Sequence, residues 1–131
     1  YKRQNIMFAT AIAEKLGLSI DEIRNAIIPW CNDESIDVVI STGGTGIAMR
    51  DVTIEAVDSI IEKAIPGFGE IFRYLSFTED IGTKAIASRA EAGVNSNTLI
   101  FSIPGSVGAV TLGMSKLIIP EMPHLVREIN K

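Results

Sequence analysis

The densest chemical signal in the chain is Ser41-Thr42-Gly43-Gly44-Thr45-Gly46, directly after an apolar β-branched run and followed by Arg50-Asp51-Val52-Thr53. Glycines there allow positive φ and close backbone approach, successive amides can point at one anion, and a following helix N-terminus adds partial positive charge. A phosphate suits such a cradle. The same residues also suit a plain turn between a strand and a helix, with Asp51 or Thr53 as an ordinary N-cap. A dinucleotide fingerprint needs G-x-G-x-x-G and a P-loop needs G-x-x-x-x-G-K-[ST]; neither is present. Ser106 follows a strand-ending Pro104-Gly105 and opens a helix, so its hydroxyl and amide suit a phosphate or a plain cap equally. Cys31 has no second cysteine to pair with and reads as a buried structural thiol, and the lone His124 reads as neither ligand nor base.

These residues need elements to hold them. Residues 5–16 carry Met7, Phe8, Ala11, Ile12 and Leu16 on one stripe and are expected to be a helix stopped at Gly17. Ser19-Ile20-Asp21-Glu22 fits a capping box, so a second helix is expected from there, with Ile23, Ile27 and Trp30 inward and Pro29 disturbing its last turn. Residues 36–41 and 98–103 read as buried strands. Helical spacing is expected over 53–64, ended by Pro66-Gly67, then around Phe68, Ile71, Phe72 and Leu75, then from about 79 to 90. Ser106 onward is expected to be helical through Val110, Met114 and Leu117, with Pro120 as an interruption and a last turn or two over 124–129.

That order belongs to the α/β class: a three-layer domain with a mostly parallel sheet flanked by helices, residues 1–131 forming one domain. Two strands are too few for so many helices. A further parallel strand is therefore expected before Tyr1, and further residues around Leu18-Ser19, because Ile6, Met7, Phe8 and Ile12 make an apolar face that two strands can hardly cover. Among 131 residues, 47% are hydrophobic and 21% charged, enough for a single core. A net charge of −4 and 6% aromatics argue against a nucleic-acid partner. No apolar run reaches the roughly 18 residues of a membrane span, and a single cysteine makes a reducing cytoplasm the expected compartment.

Four stretches in order, GGTGIAMRDVTIEA, PGFGEIFRYLSF, SRAEAG at 88–93 and TLIFSIPGS at 98–106, resemble the molybdenum cofactor biosynthesis family. Its MoaB and Mog type proteins, and the G domain of gephyrin and its plant counterpart, share a GGTG, an R-D-V-T and a strand ending in P-G. The resemblance runs from about Ile36 to Leu117 and is nearest the MoaB branch.

It implies a molybdopterin-binding fold and an enzyme that adenylylates molybdopterin with ATP and Mg²⁺, releasing pyrophosphate. Asp51 matches the aspartate of R-D-V-T and is implied as catalytic and magnesium-binding. Gly43, Gly44, Thr45, Gly46, Thr53, Ser88, Arg89, Gly93, Pro104, Gly105 and Ser106 are implied to bind molybdopterin or nucleotide. From the residues alone, a lone helical arginine such as Arg89 suits a phosphate clamp or a surface ion pair. The resemblance also implies a homotrimer or hexamer and a partner that inserts molybdenum. Two alternatives stand beside it: a non-catalytic molybdopterin carrier or scaffold, and a nucleotide pyrophosphatase-type enzyme on the same fold. The family's opening strand and its second strand with an acidic V-P-D type turn are not recognisable in the sequence, and the aspartate of that turn would fall near Leu18 rather than at Asp21.

Overall fold

The computed structural model describes residues 6–10, as backbone, and 18–131. In chain order it contains β1 (Ile6–Thr10), α1 (Ile20–Cys31), β2 (Val38–Thr42), α2 (Thr53–Asp58), β3 (Lys63–Ala64) and α3 (Pro66–Glu79). A 3-10 segment (Gly82–Ala87) leads to β4 (Glu91–Asn95) and β5 (Thr98–Ile103). The end is one helical stretch: α4 (Val107–Leu112), a π-helical segment (Gly113–Ile118) and α5 (Ile119–Ile129).

The five strands lie in the order β1-β2-β5-β4-β3. β1, β2 and β5 run parallel, with Ile6 opposite Val38 and Val38 opposite Leu99; β4 pairs antiparallel with both β5 and β3. Successive side chains of a strand point to opposite faces, and here each face has its own core. Val38, Ile40, Leu99, Phe101 and Ile103 pack with Phe68 and Phe72 of α3 and with Ala109, Leu112, Ile118 and Val126 of the final helical stretch. Val39 and Ile100 pack on the other side with Ile23, Ile27 and Cys31 of α1 and with Ala56, Val57 and Ile60. The result is the expected three-layer α/β sandwich, with its parallel part in the middle and on one side.

Several expectations are corrected. The segment read as a helix over 5–16 is a strand at 6–10, and it occupies the sheet position that the two-strand reading left vacant; the remainder, 11–17, lies outside the described residues. A strand paired in parallel on a buried sheet reads as a continuous apolar run, which periodicity cannot separate from a helix. The helix expected over 53–64 stops at Asp58, because β4 captures the backbone beyond it: Glu62 N donates to Val94 O at 2.8 Å and Ile65 N to Ala92 O at 2.9 Å. Pro66 opens α3 instead of closing a helix, a position where its missing N–H costs nothing. The helix expected over 79–90 is the tail of α3 followed by 3-10 turns, and residues 91–95 form a strand the sequence did not reveal.

Pro120 does not interrupt the last helix. The wide π turn directly ahead of it loosens the i→i−4 ladder, so the proline falls at the start of α5. The capping box at the head of α1 forms as expected, with Glu22 N donating to Ser19 Oγ and Ser19 N to Glu22 Oε1, both at 3.1 Å. Pro29 is accommodated inside α1. No helix among the described residues is long and apolar enough to cross a membrane.

Candidate functional site

In an open α/β sheet the ligand crevice lies beyond the carboxyl ends of the parallel strands. Here β2 and β5 are neighbours, and both end in glycine turns. Gly43 and Gly44 adopt φ of +91° and +69°, values an L side chain seldom takes. Gly43 N donates to Ile103 O at 2.9 Å, and Gly105 lies so close that a Cβ on it would stand 3.4 Å from Gly43 Cα. The two loops are thus one surface. The Gly43 amide is spent on holding them together, so the cradle foreseen over Gly43–Gly46 has fewer amides to offer a ligand than the sequence suggests.

The helix that follows is held just as closely. Thr53 N donates to Gly44 O at 3.1 Å, and Thr53 Oγ1 lies 2.1 Å from where a Gly44 Cβ would stand. Thr53 is fully buried, and its hydroxyl oxygen has no hydrogen-bond partner. Asp51 is 8% exposed. Its Oδ2 accepts from Ala48 N at 3.0 Å, closing the 48–51 turn, and its Oδ1 has no partner. Neither Asp51 nor Thr53 caps α2: the N-cap position is Val52, without a side-chain bond. A buried carboxylate oxygen without a partner is costly in a folded protein, and a cation or a hydrogen-bond donor would relieve that cost at Asp51 Oδ1.

Arg89 reaches this loop from the segment ahead of β4. Its Nε donates to Gly46 O at 2.9 Å, Nη2 to Asp51 O at 2.9 Å, and Nη1 to the Glu55 carboxylate at 2.6 and 3.1 Å. Its backbone N donates to Thr45 O at 3.0 Å. Ser88 is brought alongside; its carbonyl and that of Ala90 accept from Arg73 Nη1 at 3.4 and 2.8 Å. Ser106 is the N-cap of α4, accepting from Ala109 N at 3.2 Å, which leaves its O–H as a donor at the loop rim.

The structure therefore gathers Gly43–Gly46, Asp51, Thr53, Arg89 and Pro104–Ser106 at one end of the sheet. Gly93 is not at that rim. It pairs with Ile100 and Ala64 inside the sheet, where a Cβ would stand 2.6 Å from Ile61 side-chain atoms. Arg50 is exposed, as the sequence suggests. Cys31 is buried, and burial, with the Glu62 charge adding to it, pushes its thiol up to about 11, far from a thiolate at neutral pH. Sequence reasoning missed Arg73 and Glu55. The signal for Arg73 was available: in PGFGEIFR the glycine four residues ahead, Gly69, lets α3 approach Ala90 O to a distance that leaves no room for a Cβ.

Residues 13–124 match the family model described as a probable molybdopterin binding domain. The chain is 60% identical over 111 residues to a Bacillus subtilis (strain 168) protein named Molybdenum cofactor biosynthesis protein B, covering 85% of this chain and 65% of that one. It is 64% identical over 109 residues to the protein of the same name in Staphylococcus aureus (strain Mu50), covering 83% and 64%. The chain thus spans just under two thirds of the length of these curated relatives. A crystal structure of a Molybdenum cofactor biosynthesis protein B superposes with a TM-score of 0.85 at 37% identity, covering 98% of this chain and 96% of that one.

Proposed function

The chain belongs to the family of probable molybdopterin binding domains, and on that premise we propose that it serves molybdenum cofactor biosynthesis by binding molybdopterin and transferring to it the adenylyl group of ATP. The observation that carries this is Asp51, a buried carboxylate whose Oδ1 lacks a partner beside a glycine loop. The donor set fits magnesium, which takes one or two carboxylates and otherwise prefers water and substrate phosphates; Asp51 Oδ1 would hold it, with the unpartnered Thr53 Oγ1 as a neutral oxygen two residues away. Mg²⁺ at that position supplies charge neutralisation for the triphosphate.

The remaining work falls to the chain. A terminal phosphate oxygen of molybdopterin attacks the α-phosphorus of ATP; a P–O bond forms as the bond to the β-phosphate oxygen breaks, and pyrophosphate leaves. The attacking oxygen is already anionic near neutral pH, so no general base is required, and the demands are positioning and charge stabilisation. The Thr45 and Gly46 backbone and the Ser106 hydroxyl would supply donors suited to phosphate oxygens. Assembly as a homotrimer or hexamer in the cytoplasm, and delivery to a molybdenum-inserting partner, belong to the same proposal and rest on family membership.

Incubation with molybdopterin, ATP and Mg²⁺, followed by mass analysis of the pterin and assay of pyrophosphate, tests it. Equal amounts of adenylylated pterin and pyrophosphate are expected. Asp51→Asn should reduce turnover on the order of 100-fold while changing molybdopterin affinity little. Binding of molybdopterin with no pyrophosphate from the unaltered protein would reduce it to a carrier. Pyrophosphate without pterin modification would make it a pyrophosphatase-type enzyme.

A further inference from the structure

We propose that Arg89 is a positioning residue, which sets the shape of the Gly43–Gly46 loop and the place of Asp51 while touching no ligand itself. An arginine that clamps a phosphate presents its fork of N–H groups outward. In Arg89 that fork is turned inward: Nε, Nη1 and Nη2 each donate to protein, and their acceptors are Gly46 O, Asp51 O and the Glu55 carboxylate. With the Arg89 backbone N on Thr45 O, the residue grips the loop at Thr45, Gly46 and Asp51 and reaches the first turn of α2 at Glu55.

Electrostatic attraction alone does not explain the arrangement. The Arg89 and Glu55 side chains are 34% and 40% exposed, and an ion pair in that setting contributes little to stability. What three differently directed acceptors require is a planar group with donors at fixed angles, which lysine lacks. Both carbonyls belong to residues of the candidate site. Loss of the grip would let Gly46 drift, and a Cβ built on Gly46 lies only 2.8 Å from Asp51 Oδ2, so loop and carboxylate have little freedom to move independently.

The kinetic part of the inference rests on the adenylylation reading; the structural part does not. In the full chain, Arg89→Lys, Arg89→Met and Glu55→Gln are compared with the unaltered protein by amide hydrogen exchange and steady-state kinetics. For Arg89→Lys, exchange across residues 43–51 should quicken by about tenfold or more, while α1 keeps its protection. Its kcat should fall about 10- to 100-fold, with KM for ATP and molybdopterin rising by less than that. Arg89→Met should match or exceed these losses, and Glu55→Gln, which keeps an acceptor but not the charge, should be intermediate. Unchanged exchange over 43–51 in Arg89→Lys overturns the proposal. So does a raised KM with kcat intact, the signature of a ligand contact, and so does equal loss of protection in α1, the signature of a general stability residue. An unaltered protein that forms no adenylylated pterin would defeat the functional reading, and the exchange comparison would still decide the role of Arg89.

Discussion

Gly44 is held by two constraints at once. Its φ is +69°, and the space for a side chain is filled by the Thr53 hydroxyl. Gly44→Val must therefore either distort the loop or displace Thr53, and the left-handed conformation alone costs a non-glycine residue roughly 1–2 kcal/mol. The variant should remain folded by circular dichroism yet bind ATP or molybdopterin at least about tenfold more weakly in calorimetry, tenfold being 1.4 kcal/mol; unchanged affinity would make the segment an ordinary turn. Asp51→Asn should act differently, removing a charge while keeping size and oxygen, so its melting temperature should stay near that of the unaltered protein. The glycines and Asp51 were legible in the sequence because their chemistry is local: a strand, a glycine run and a helix start within a dozen residues. The contacts of Arg89 were not, since its acceptors are mostly backbone carbonyls of a loop far away in the chain, and a carbonyl carries no residue identity.

Elements whose signals are local were also legible. Ser19 and Glu22 form both arms of the capping box that their spacing implies, and Ser19→Ala should cost about 1 kcal/mol, seen as a lower midpoint in urea unfolding with an unchanged slope; no shift would mean that the head of α1 is held by packing instead. Strands were harder. β5 announces itself as TLIFSI, all six residues buried. β4 is Glu-Ala-Gly-Val-Asn, poor strand formers apart from Val94, and exists because β5 and β3 pair with it on either side. Its hairpin turn was available as a clue in the polar run Asn95-Ser96-Asn97, where Ser96 takes φ +55° in the structure. β1 failed for a different reason: Ile6, Met7 and Phe8 fit a helix stripe and a buried strand equally well, and only the partner strand β2 decides.

At the scale of the molecule, one carboxyl couples folding to pH. Burial, then a hydrogen bond and charge from Asp58, push Glu91 up to about 8, opposed by the Arg89 charge. The folded chain therefore holds a proton there that the unfolded chain releases near 4.5. Stability from this group is complete below that value and is lost as pH rises through 8. Unfolding midpoints should fall between pH 5.5 and 9, a range bracketing that loss, and Glu91→Gln should flatten the slope; an equally steep slope in the variant would assign the effect elsewhere. The meeting of Gly43 with Gly105 has a consequence in time. Their loops touch because β2 pairs with β5, and Val38 must find Leu99 across nearly half of the chain. Parallel pairing at such separation is slow to form, so neither half of the polypeptide can assemble the crevice alone, and on the ribosome it cannot exist until Ser106 has emerged. A ligand that requires both loops has nothing to hold until that pairing is complete. Added to refolding protein, it should leave the folding rate unchanged and act only as a brake on unfolding.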